Sequence, residues 1–62
     1  MEGLLAELNR NRELLAVYKS IGPAGAFGAT MIEIDITNGE TAIAQGDTIA
    51  MMASYQELSQ NE

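Results

Sequence analysis

Ser20-Ile21-Gly22-Pro23-Ala24-Gly25-Ala26-Phe27-Gly28-Ala29 constrains this chain more than any other stretch, because it holds three of the six glycines, the only proline and the only phenylalanine. Gly22 can take the left-handed conformation that ends a helix, and Pro23 directly after it cannot continue one. Proline also suits the first turn of a new helix, where its missing N–H is no loss. The pair therefore predicts the end of one helix and the start of the next. Gly25 and Gly28, with Ala24, Ala26 and Ala29, form a surface without bulk that another backbone or a ligand can approach closely. Two readings follow. One is tight helix packing. The other is a helix N-terminus whose free N–H groups and dipole hold an anion or phosphate.

With 62 residues the chain is read as a single small domain, 1–62. A domain of this size buries only about 60% of the surface its unfolded chain exposes. Cysteine and histidine are absent, so disulfides and Cys/His zinc sites cannot brace it. Self-association is the remaining common route to stability, and a 47% hydrophobic chain with four methionines suits it. The expectation is a homo-oligomer, most simply a symmetric dimer.

Nine acidic residues against three basic ones give a formal charge of −6, which argues against nucleic-acid binding through a basic stripe. The three cations, Arg10, Arg12 and Lys19, all lie in the first third. They are either a solvated helix face or a small site for an anion. No apolar run of about 18 residues occurs, and Met1-Glu2-Gly3 lacks the basic flank of a signal peptide. A soluble, cytoplasmic protein is expected.

Residues 2–21 predict a helix. Leu4, Leu8, Leu15 and Tyr18 recur at spacings of four, seven and three, with Asn11 in the gap, so the seam is a/d-like with one polar member. Asn11 either meets its own copy in a dimer or is solvated. Residues 30–45 allow two readings. Ile32, Ile34 and Ile36 alternate with polar residues up to Asn38-Gly39, a hairpin signal. Against a hairpin stand the alanines of the second arm and the marginal stability of two strands alone. The helical reading has to carry Gly39, at about 1 kcal/mol relative to alanine. Gly46 then suits a C-cap and Asp47 an N-cap, opening a last helix with Met51, Tyr55 and Leu58 on one stripe. Residues 59–62 are expected to fray. The predicted fold is all-α: helices near 2–21, 24–45 and 47–60 in a homo-oligomer. The alternative is helix–β-hairpin–helix with its turn at Asn38-Gly39.

Without histidine or cysteine the chain lacks the commonest general base and the thiol nucleophile. Glu33 and Asp35, two apart, do not face each other on a helix. A non-enzyme without cofactor or metal is expected. The string Glu13 to Ala29, followed by Ala42-Ile43-Ala44-Gln45-Gly46-Asp47, resembles small proteins encoded by phages and prophages. That resemblance implies an all-helical accessory protein that modifies host functions, anti-defence among them.

Two functions follow as expectations. The first is blocking a host protein through an acidic oligomeric surface carrying Glu33, Asp35, Glu40 and Asp47. The second is an oligomer that sequesters a phosphate-bearing signalling nucleotide at the glycine-rich turn, with Arg12, Tyr18, Lys19, Gly25, Phe27 and Gly28 as its site. Leu4, Leu8, Asn11, Leu15, Met51, Tyr55 and Leu58 are expected between the copies. Neither function calls for direct nucleic-acid or membrane contact.

Overall fold

The computed structural model describes residues 2–62, leaving Met1 outside the described residues. Helix α1 spans Glu2–Ser20, a short 3-10 turn spans Gly22–Gly25, and α2 spans Ala26–Gln45. Helix α3 spans Thr48–Ser59, and no strand occurs among the described residues. The three helices pack mutually into an elongated bundle measuring 35 × 17 × 16 Å. No described helix is long and apolar enough to cross a membrane.

The two joints are made differently. Gly22, at φ 84°, leaves the helical region after Ser20. Pro23 then opens the 3-10 turn, which runs directly into α2. At the other joint Gly46 sits at φ 65° and its N–H donates to the carbonyl of Ile43 at 3.1 Å. The Asp47 N–H reaches the Ala42 carbonyl at 3.1 Å, which completes a Schellman motif. Asp47 is also the N-cap of α3, its Oδ1 accepting from the Ala50 N–H at 3.1 Å.

The hairpin alternative is corrected: Asn38 and Gly39 lie inside α2. Gly39 is buried where all three helices meet. A Cβ there would come within 3.0 Å of Leu8 Cδ2 and 3.5 Å of Leu58 Cδ1. The helix-propensity loss at Gly39 is thus offset by the close seating of α1 and α3. The isoleucines divide by helical phase, with Ile32 and Ile36 buried and Ile34 48% exposed.

The core is Leu4, Leu8, Ile32, Ile36 and Leu58, with Leu14, Leu15, Tyr18, Ile43 and Met51 packed at its edge. Leu4, Leu8, Asn11 and Leu58, expected at a seam between copies, are covered instead by the chain's own helices. Leu15 and Met51 sit half-buried beside them, and Tyr55 is exposed. Asn11 is wholly buried and every polar atom of its side chain is used. Its Nδ2 donates to the Glu7 carbonyl at 2.7 Å and to the Leu58 carbonyl at 3.2 Å. Its Oδ1 accepts from Asn61 Nδ2 at 2.9 Å. Arg10 Nη2 also donates to the Leu58 carbonyl, at 2.8 Å, so a cation from α1 closes the negative end of the α3 dipole. Ser59 ends α3, and the segment expected to fray reaches back to the bundle through Asn61 and through the Glu62 carbonyl, which accepts from Tyr18 Oη at 2.7 Å.

Candidate functional site

Of the six residues expected around a phosphate, the structure brings together Tyr18, Gly25 and Gly28, and it does so by tight packing. A Cβ on Gly25 would lie 2.2 Å from the Tyr18 carbonyl oxygen, and one on Gly28 would lie 2.5 Å from the Tyr18 ring. The bare glycine surface is therefore filled by the end of α1. Phe27 points away from this contact and is 81% exposed. At the start of α2 the Ala26 N–H already donates to the Pro23 carbonyl.

The cations are engaged along the α1–α2 edge. Arg12 Nη2 meets Glu40 Oε2 at 2.7 Å, and Lys19 Nζ lies 3.9 Å from Glu33 Oε2. Both pairs span residues seven apart on each helix, so they form two rungs of one antiparallel register. Arg12 also donates to Asn9 Oδ1 at 3.0 Å. Arg10 pairs with Glu7 at 2.6 Å, the i,i+3 contact that its spacing allows. Each cation thus has a carboxylate partner within the chain. The rungs are solvent-exposed, so each contributes at most about 1 kcal/mol.

The four carboxylates expected to meet a partner are engaged within the chain as well. Glu33 and Glu40 form the rungs, and Asp47 caps α3. Asp35 Oδ2 accepts from Asn61 Nδ2 at 3.0 Å. Among the acidic residues described, Glu2, Glu13, Glu57 and Glu62 make no side-chain ion pair.

Apolar surface gathers in two places that charge and glycine did not point to. One is a cleft of about 200 Å³ where the start of α1 meets α3, lined by Gly3, Leu4, Thr48, Met51, Met52 and Tyr55. Gly3 gives the Tyr55 ring room: a Cβ there would lie 3.1 Å from its Cε1. Met52 is 66% exposed at this cleft, and Ile49, one residue along from Thr48, is 81% exposed. Glu2 and Asp47 immediately precede lining residues, which gives the cleft acidic neighbours in the chain. The Met51-Met52 pair was the sequence signal for this place, since flexible methionine serves both cores and adaptable binding surfaces. Here Met51 is half-buried and Met52 faces out.

The other place is the outer side of α2, opposite Ile32 and Ile36. Phe27, Met31 and Ile34 are exposed there and are followed at the same heptad phase by Asn38 and Thr41. Among the described residues no group of three or more acidic side chains is arranged to hold a metal ion. No protein-family model, curated protein or solved structure matches the chain.

Proposed function

We propose that this chain is a non-enzymatic binding protein that blocks a basic protein partner, taking one of its apolar side chains into the α1–α3 cleft. The observation that carries this reading is the cleft itself, with Met51, Met52 and Tyr55 on its walls and Ile49 exposed nearby. Methionine walls re-pack around different side chains, and a tyrosine supplies apolar area with little loss of rotamer freedom. With every cation paired, the surplus charge of −6 is carried by carboxylates, which repel an anion and steer a basic surface. This relocates the contact from Glu33 and Glu40 to the cleft and makes the charge a matter of approach. The blocking role follows the resemblance to phage accessory proteins, and the same paired cations leave the nucleotide-sequestering reading without a favouring observation.

Met52→Asp tests it. The side chain is exposed, so the far-UV circular dichroism spectrum should match that of the parent. Affinity capture from host lysate with the parent chain should recover a basic protein, with yield falling as salt rises. The variant should recover none of it. Equal capture by Met52→Asp removes the cleft from the reading, and no salt-sensitive partner at all removes the reading.

A further inference from the structure

We propose that Asn38-Gly39 is a self-modification site, closed while α2 is intact and opened by unfolding, at which the chain passes to a form that cannot refold. The inference is independent of the α1–α3 cleft. Of the four asparagines, Asn38 alone is followed by glycine. A residue without Cβ leaves its own backbone nitrogen unhindered, so in a flexible chain the Gly39 nitrogen attacks the Asn38 side-chain amide. The nitrogen gives up its proton to solvent base and bonds to Cγ. The Cγ–Nδ2 bond breaks, and ammonia leaves with a proton from water. Water then opens the resulting cyclic imide at one of its two carbonyls. Breaking the new bond to Cγ leaves aspartate. Breaking the original peptide bond leaves isoaspartate, whose main chain runs through Cβ and Cγ and is longer by one methylene. Nothing is oxidised or reduced, and water is the only other reactant.

The fold closes this route and gives it a consequence. Both residues lie well inside α2, away from its fraying ends. There the Gly39 N–H is committed to the carbonyl four residues back, and the helical ψ of Asn38 holds the Gly39 nitrogen away from Cγ. The Asn38 side chain is exposed, but Gly39 is buried against Leu8 and Leu58. The attacking atom is therefore freed only when the three helices part. The same glycine decides what happens afterwards. A Cβ on Gly39 would already lie 3.0 Å from Leu8 Cδ2, so α2 has little room for a longer main chain at this point. An extra methylene also breaks the helical phase between Ile32 and Ile36 before it and Ala42 after it, all of which are buried. Aspartate, by contrast, leaves the main chain unchanged and adds a charge at an exposed position. Each opening of the bundle thus commits a fraction of chains irreversibly, and the working life of the chain is set by how often it unfolds.

Peptide mapping by mass spectrometry tests this on the full chain at mildly alkaline pH, folded in buffer and unfolded in guanidinium chloride. Unfolded, Asn38 should deamidate well ahead of Asn9, Asn11 and Asn61. Folded, it should react roughly a hundredfold more slowly, since even a small core leaves only about 1% of chains open. Asp47→Ala weakens the bundle without touching the site. It should speed the folded-state reaction about fivefold and leave the unfolded-state rate unchanged. Asn38→Gln should fold and stay unmodified in guanidinium chloride over the same period. The isoaspartyl chain, separated by chromatography and returned to buffer, should lack the helical circular dichroism spectrum, whereas Asn38→Asp should show that of the parent. A folded chain that reacts as fast as the unfolded one overturns the proposal. So does a folded-state rate indifferent to Asp47→Ala, an isoaspartyl chain that regains its helices, or an Asn38→Asp chain that is equally unfolded.

Discussion

The joints at the two ends of α2 do the same job by opposite means. The α2–α3 joint is local: Gly46 turns, Asp47 caps, and the polar groups are satisfied within a few residues. The α1–α2 joint depends on surfaces brought together. Gly22 turns, but the angle between the helices is held by Gly25 and Gly28 lying against the carbonyl and ring of Tyr18. A local joint can be altered one hydrogen bond at a time. A packed joint has no spare volume, so an added methyl group must displace backbone at Gly25 or the Tyr18 ring at Gly28.

That contrast predicts an ordered series of substitutions. Gly25→Ala is the most damaging, because its Cβ would lie 2.2 Å from a backbone oxygen that cannot turn aside. A loss of ~3 kcal/mol is expected, at the upper end of overpacking effects. A single small core supplies only about 3–5 kcal/mol, so thermal denaturation followed by circular dichroism should show little folded baseline. Gly28→Ala meets a ring instead of a backbone, and removing that ring should relieve it. The double variant Tyr18→Ala/Gly28→Ala should therefore lose less than the sum of its singles, a coupling that a double-mutant cycle measures. Additive losses would show that the joint is not packed as described.

At the local joint the expected effects are smaller. Asp47→Ala removes one cap and Gly46→Ala forces a methyl group into the left-handed region, each at about 1 kcal/mol. Each should lower the melting temperature by roughly 4–8 °C. If Gly46→Ala proves as damaging as Gly25→Ala, the distinction between the joints fails. Smallest of all are Arg12→Ala and Lys19→Ala, each expected to change stability by less than about 0.5 kcal/mol, as exposed pairs do, and to shrink further in high salt.

The same contrast separates what was legible in the sequence from what was not. The helix ends were legible because Gly22-Pro23 and Gly46-Asp47 carry their own geometry, and the predicted boundaries differ from the observed ones by a residue or two. The packed joint was legible only as two readings, since bare glycines look alike whether a tyrosine or a ligand covers them. Which side of α2 faces inward was not legible. Ile32, Ile34 and Ile36 have the same chemistry, and only the positions of Leu8 and Leu58 decide between them. Nor could spacing show that Arg12 would find Glu40, 28 residues away, and leave the expected anion site without its cation.

The Asn11 network has a kinetic consequence. Its links to Leu58 and Asn61 join residues 47 and 50 positions apart, whereas the α1–α2 and α2–α3 contacts each join neighbouring helices. Distant contacts bear the largest loop-closure entropy and tend to form late. Asn11 should then be little engaged at the folding barrier, and truncating it should speed unfolding while leaving the folding rate almost unchanged. The buried amide in this account acts as a latch, setting how long the three helices stay together once they have met.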